Sequence, residues 1–206
     1  MITYIIIGIT SLFSILAFQN QDLFNKHVFN PYIIKRNKEW HRFFTHALLH
    51  ADWMHLILNM YVLYIFGKTL EDNYFRSLFD SKAGLNYALL YVGGVLISSF
   101  PSFEKHKDNG YYNAVGASGA VSAVLFSSIV INPVESRIGL MFLPPSLWPP
   151  AYVFGILYLL YSWYMAKRGG DNIGHDAHFW GAVFGVVFTI ILKPALALHF
   201  IQQIIG

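Results

Sequence analysis

Gly116-Ala117-Ser118-Gly119-Ala120-Val121-Ser122-Ala123-Val124-Leu125-Phe126 is a run of small and apolar residues that carries two hydroxyls. It lies inside a longer uncharged stretch, residues 110–134. That is enough helix to cross the hydrocarbon core of a bilayer, which takes about 17–25 residues. A second apolar run, residues 177–192, begins Ala177-His178-Phe179-Trp180-Gly181 and continues through Gly185. Polar and ionisable side chains at membrane depth are costly and usually functional. The serine of the first run and the histidine of the second therefore direct the reading.

Composition places the chain in lipid. Of 206 residues, 55% are hydrophobic and 12% charged, and mean hydropathy is +0.46. A soluble domain carries roughly 25% charged residues. With half that supply, polar groups cannot cover a globular surface. The 17% aromatic content fits the enrichment of Trp and Tyr at membrane interfaces. Net charge is +3, and the 14 Lys and Arg form no dense basic block, so no nucleic-acid partner is expected. The absence of cysteine excludes disulfides and thiolate metal sites.

Apolar runs predict spans at about residues 2–18, 53–70, 83–100, 118–131, 151–166 and 177–192. The first lacks a basic n-region and an A-x-A site, which predicts a retained helix and not a cleaved signal. Residues 20–52 form a long first loop rich in aromatics, expected to lie partly in the interface. Residues 102–109 read as a short charged loop. Residues 132–150 hold Pro133, Pro144, Pro145, Pro149 and Pro150, which cannot continue a helix. Gly169-Gly170 read as a turn before the last span, and residues 195–206 as a short amphipathic helix. No internal repeat is visible, so residues 1–206 are expected to form one all-α membrane domain.

Serine is a weak nucleophile until a base takes its proton. Ser118 and His178 supply that pair if the fourth and sixth spans pack together. Gly181 and Gly185 form a Gly-x-x-x-Gly face beginning one turn after His178, and Gly116, Gly119 and Ala120 surround the serine. Small residues let membrane helices approach closely. The alternative is that these residues make a packing face and nothing more. Acyl transfer also needs donors for a developing oxyanion. His55 and Asn59 are four apart, on one helix face, and with the Ser118 backbone N–H they are candidates. Their alternative role is a structural hydrogen bond between helices. Asp176 lies two residues from His178 and points elsewhere on a helix, so a Ser-His dyad is expected and not a triad.

His46 and His50 also share an i, i+4 spacing, with His55 nearby. The run has no HExxH and no acidic ligand, so neither metal nor cofactor is expected. His46 and His50 are assigned to polar groups where the first loop meets the second span. His27, His41, His106, His175 and His199 read as interface or solvent residues.

Taken together, Thr45-His46-Ala47-Leu48-Leu49-His50, His55-Leu56-Ile57-Leu58-Asn59, Gly116-Ala117-Ser118-Gly119 and Ala177-His178-Phe179-Trp180-Gly181 with Gly185 resemble the motifs of the rhomboid family of intramembrane serine proteases. Order and spacing match from about residue 39 to 193. The resemblance implies a six-transmembrane-helix bundle with a water-filled cavity open to the extracytoplasmic side. It implies a serine-type endopeptidase without cofactor or metal, cutting single-span transmembrane substrates that carry small or helix-destabilising residues near the cut. Ser118 is implied as nucleophile and His178 as general base, with His55, Asn59 and the Ser118 backbone on the oxyanion. Glu71 is implied as structural. The fifth helix and the segment around Gly169-Gly170 are implied as gate and cap. The chain's compact length resembles bacterial members, which implies a bacterial inner membrane.

The resemblance also implies a cytoplasmic N-terminus. Charge argues the other way: that topology puts Lys68, Arg76, Lys82, Arg137 and Lys193 inside and the other nine of the 14 cations outside. Two residues depart from the family pattern. Trp40 and Arg42 are separated by His41 where many members have Trp-Arg. Ser122 stands where many carry an aromatic that stacks on the catalytic ring, so His178 would depend on a hydroxyl or on another aromatic for its orientation. A rhomboid-like protein that binds membrane clients without cutting them is the rival reading. A transporter is disfavoured by the lack of an inverted repeat.

Overall fold

The computed structural model of the chain describes residues 1–139, 144–168 and 173–206. Among these residues the fold is helical, with two isolated antiparallel bridges and no strand. Residues 169–170, the expected turn before the last span, lie outside the described residues.

Helix α1, Ile2–Phe18, has no acidic residue in its own first turn. Glu71 supplies one from elsewhere in the chain. Its Oε1 accepts the Ile2 N–H at 2.7 Å, and its Oε2 accepts the Thr3 N–H at 2.9 Å and the Thr3 hydroxyl at 2.8 Å. The Met1 amino group pairs with the same carboxylate. A carboxylate here satisfies orphan donors and opposes the positive end of the helix dipole. Glu71 reaches α1 because α5, Trp53–Val62, widens into π-helical turns at Leu63–Gly67 and Thr69–Phe75. The helical path therefore runs past the expected residue 70. After α6, Arg76–Phe79, the chain reverses at Asp80, which has φ 46°.

The first loop is an ordered, packed unit. Asn20 caps α2, Gln21–His27, by accepting the Leu23 N–H, and Asn30 caps α3, Pro31–Asn37, by accepting the Ile33 N–H. Helix α4, Arg42–Thr45, is followed by a tight turn at His46–Leu48. The buried Arg42 pairs with Glu39 at 2.7 Å and donates to the carbonyls of Asn25 and Val28, both at 2.8 Å. Its guanidinium thus ties three points of the loop together. Trp40, separated from Arg42 by one residue, stacks on Phe43.

His46 and His50 do meet buried polar groups, but from α1, α4 and α7 and not from α5. His46 Nδ1–H donates to the Arg42 carbonyl at 2.9 Å, and its Nε2 lies 3.1 Å from the Ser99 hydroxyl. Ser14 of α1 donates to the Leu48 carbonyl, which leaves His50 Nδ1–H to donate to Ser14 Oγ at 2.9 Å. The loop lies across both helices, so its polar side chains find partners there.

Helix α7, Ala83–His106, corrects the expected loop at 102–109, because it runs on through Pro101. Phe103 explains the extension. It is buried in a cluster with Phe29, Ile34 and Phe43 of the first loop, and that burial holds the last turns helical. Helix α8, Ser118–Ile131, is the centre of the molecule, with residues 119–130 all buried. Around it stand α5, α7, α9 (Ala151–Arg168), α10 (His175–Leu192) and α11 (Ala195–Ile205).

Small residues set how close these helices come. A Cβ on Gly181 of α10 would collide with the carbonyl oxygen of Gly119, and one on Gly185 would collide with that of Ala123. A Cβ on Gly94 of α7 would sit 2.9 Å from the Ala120 Cα. Large apolar side chains point outward instead: Leu85 is 61% exposed, Leu160 59% and Ile191 71%. Small residues at the helix contacts under an apolar exterior suit a lipid surround. Trp53–His106 and His175–Leu192 are long and apolar enough to cross a membrane; Ile2–Phe18, Ser118–Ile131 and Ala195–Ile205 are shorter apolar helices.

Two outcomes follow for stability in detergent. Gly185→Ala should lower it by about 3 kcal/mol, the upper range for overpacking, because the colliding atom is backbone. Gly8→Ala, with nothing within 4 Å, should change it by less than about 1 kcal/mol. Equal melting temperatures for the two variants would contradict this packing. The second outcome concerns pH. Burial pushes the His46 imidazole from 6.5 down to about 4, and burial with the neighbouring His55 pushes His50 down to about 3. The unfolded chain takes up protons at these sites near 6.5 and the folded chain does not. Their contribution is therefore complete above about pH 6.5 and is lost as pH falls toward 4. Thermal unfolding should drop steadily from pH 7 to 5, and a flat profile would contradict the buried neutral assignment.

Candidate active site

Ser118 is the first residue of α8, and the turn before it is held by the first loop. Phe29 and Ala114 exchange backbone hydrogen bonds, both 3.0 Å. The Asn30 side-chain amide donates to the Gly110 carbonyl and to Asn113 Oδ1, each at 3.1 Å. The Gly116 N–H donates to the His46 carbonyl at 3.0 Å. Gly116 has φ 119°, a conformation that L side chains rarely adopt. It is also short of space, since a Cβ there would lie 2.8 Å from His55 Cε1 and Nε2. The His55 ring thus rests on the bare Cα two residues before Ser118.

His55 is oriented by its own turn. Asp52 caps α5 by accepting the His55 N–H at 2.8 Å. The Ala51 N–H points at His55 Nδ1 from 3.4 Å, which favours the tautomer with its proton on Nε2, the nitrogen facing Gly116. The buried Asn59 side chain donates one amide N–H back to the His55 carbonyl at 2.9 Å, which leaves its second N–H for another acceptor.

His178 lies in the first turn of α10, its N–H bonded to the Gly174 carbonyl at 3.1 Å. The α8–α10 contact brings it toward Ser118. Gly119 is enclosed by the Ser98 side chain of α7 and by α10, where the Ala177 carbonyl lies 3.4 Å from the position of a Gly119 Cβ. Ser118 and His178 are the immediate neighbours of Gly119 and Ala177. Both are half-buried, and both open onto one cavity of about 1060 Å³ that His55, Asn59 and Gly116 also line. Gly185 tightens the same interface one turn further on. The structure thus gathers every candidate residue to this cavity or to the seam beside it.

The position that many rhomboids fill with an aromatic is Ser122, and here the aromatic comes from another helix. Tyr158 of α9 lies nearly parallel to the His178 ring, with centroids 6.1 Å apart and planes at 25°. Its hydroxyl is 2.7 Å from Ser122 Oγ. Tyr158 is not marked out along the chain, because nothing in the periodicity of α9 separates it from Tyr152, Tyr161 and Tyr164. His175, expected at an interface or in solvent, is instead 4% exposed. It packs edge-on to His178 and to Tyr161, because the first turn of α10 folds against α9. Asp176 pairs with Lys105 of α7 at 3.1 Å. Among the described residues no cluster of three or more His, Asp or Glu side chains forms a metal site.

A hydroxyl, an imidazole and the N–H donors of His55 and Asn59 thus line one cavity, the residue types that acyl transfer uses. Comparison with known proteins agrees with the scaffold. The model of the Rhomboid domain matches residues 37–195. The chain is similar to Rhomboid-like protein 11, chloroplastic, of Arabidopsis thaliana, 28% identical over 171 residues, covering 79% of this chain and 56% of that protein. It is similar to Rhomboid-related protein 2 of Mus musculus, 28% identical over 159 residues, covering 74% of this chain and 47% of the relative. It is also similar to the human Presenilin-associated rhomboid-like protein, mitochondrial, 27% identical over 141 residues, covering 68% and 35%. The chain thus spans from about a third to just over half the length of these curated relatives. With the family match extending over most of its length, the chain belongs to the rhomboid family of membrane proteins.

Proposed function

We propose that the chain is a serine endopeptidase that cuts transmembrane helices inside the bilayer with a Ser118–His178 dyad. The observation that carries this reading is the seam at Gly119 and Gly181. It supports the reading because Ser118 and His178 flank that seam and line one cavity together with His55 and Asn59.

In this reading Ser118 Oγ attacks the scissile carbonyl while its proton passes to His178. The tetrahedral oxyanion is met by His55 Nε2–H, the free amide N–H of Asn59 and the Ser118 backbone N–H. His178 then gives the proton to the leaving amine, which departs as the C–N bond breaks. Water, deprotonated by His178, attacks the acyl ester and restores Ser118. No step needs a metal or a cofactor. Six helices, α1, α5, α7, α8, α9 and α10, are read as spans of one domain. The first loop is read as lying partly in the interface, with its exposed Trp40 and Phe44 toward lipid. Substrates are read as single-span helices with small or helix-destabilising residues near the cut. We read the membrane as a bacterial inner membrane by resemblance alone; two of the relatives named above are chloroplastic and mitochondrial.

Reconstitution in liposomes with a panel of single-span substrates tests the reading. The native chain should cleave at least one, and Ser118→Ala should abolish cleavage while melting at the native temperature. Asn59→Ala should reduce turnover by roughly 10²–10³, as for loss of one oxyanion donor. A change confined to apparent substrate affinity would remove Asn59 from that role. A native chain that binds client helices and leaves them whole would establish the catalytically silent rhomboid-like alternative.

A further inference from the structure

Resting on the protease reading, we infer that Tyr158 is the positioning residue for His178, and that its hydrogen bond to Ser122 latches the base's orientation to the seat of helix α9.

Three observations carry this. First, the Tyr158 ring is the aromatic face lying nearly parallel to His178, while His175 meets the imidazole edge-on at 5.8 Å and 76°. A face and an edge together restrict rotation of the imidazole about its χ angles. Second, Tyr158 is fixed from both ends. Its hydroxyl meets Ser122 Oγ at 2.7 Å, and its ring packs against Phe126 of α8 at 5.6 Å and Phe154 of α9 at 6.0 Å. Ser122 is one turn after Ser118 on α8, so the nucleophile's own helix carries the anchor. Third, the helices differ in how they are seated. α8 and α10 are locked by backbone-level contact at Gly181 and Gly185. α9 buries only Ala151, Gly155 and Ser162 and turns Ile156, Leu157, Leu160 and Trp163 outward. The ring facing the imidazole therefore rides on a more shallowly seated helix than the two that hold the dyad. Where a single helix carries both serine and stacking aromatic, alignment of the base is independent of the fifth span. Here a displacement of α9 wide enough to break the Ser122–Tyr158 bond withdraws the ring from His178. Re-seating of α9 restores alignment.

Four variants and two readouts test the inference. Tyr158→Leu removes the ring, Tyr158→Phe removes the hydroxyl, and Ser122→Ala removes its anchor. The double variant Tyr158→Leu/Ser122→Tyr returns an aromatic to α8. With a cleavable transmembrane substrate, Tyr158→Leu should lower kcat by roughly 10-fold or more with KM within about twofold, a loss within the range for a misplaced base. Tyr158→Phe and Ser122→Ala should fall between it and the native protein, and the double variant should recover kcat. Ring NMR signals of His178, read in a Ser118→Ala background, should shift or broaden when Tyr158 is changed. This second readout needs no activity. If the native chain cleaves nothing, the protease reading fails while the His178 signals still decide the positioning claim. If Tyr158→Leu does not fold, Tyr158→Phe and Ser122→Ala carry the test. Unchanged kcat and unchanged His178 signals in the folded variants would overturn it.

Discussion

The contact between α8 and α10, glycine against backbone carbonyl, is the constraint on which the rest of the structure depends. At Gly181 and Gly185 no side chain separates the two helices. Lipid offers no hydrophobic drive for helices to associate, so association relies on close packing, and only small residues permit it. The same approach brings the residues beside Gly119 and Ala177, Ser118 and His178, to a shared cavity. Scaffold and chemistry therefore cannot be separated here. A bulky residue on the seam would disturb the fold and the proposed dyad at once.

A second constraint works from the opposite side. The turn before Ser118 packs Tyr112, Ala114 and Val115 against the first loop, which also holds it with hydrogen bonds. Phe29, Asn30 and the His46 carbonyl bind residues 110–116, and the Arg42 guanidinium keeps that loop in one shape. The His46 ring continues the chain of contacts into α7 through Ser99. Glu71 plays the corresponding part at the far end of the molecule, where it anchors α1 to the π-helical extension of α5. Arg42, Asn30, His46 and Glu71 thus place buried polar groups at helix ends and loop junctions, where backbone donors and acceptors would otherwise go unsatisfied.

Much of this was legible from residue type and spacing. α1 and α8 begin and end at the expected residues, and α9 and α10 extend the expected runs by two residues at one end. The reason is that apolar runs bounded by Pro, Gly or charge leave little freedom. That Ser118, His178, His55 and Asn59 would line one cavity was legible too, since the glycines near them mark helix faces able to approach closely. What escaped depends on tertiary partners. Pro101 suggested a helix end, and burial of Phe103 against the first loop overrode it. The π-helical turns that precede and contain Glu71 leave no mark in hydropathy. His175 looked like a boundary residue because the packing of α9 beside it is not visible along the chain. At Ser122 the sequence left a hydroxyl or another aromatic to orient His178; the presence of Tyr158 beside it was not legible, because it is set by the crossing of two helices.

The central claim is that Ser118 is made nucleophilic by His178. The most direct measurement is peptide mapping by mass spectrometry after treatment of the folded protein with a fluorophosphonate, which phosphonylates only an activated serine hydroxyl. The account predicts a single adduct on the peptide containing Ser118, absent from a folded His178→Ala variant. An adduct that persists in that variant, or a folded native chain that takes no label at Ser118, would contradict it.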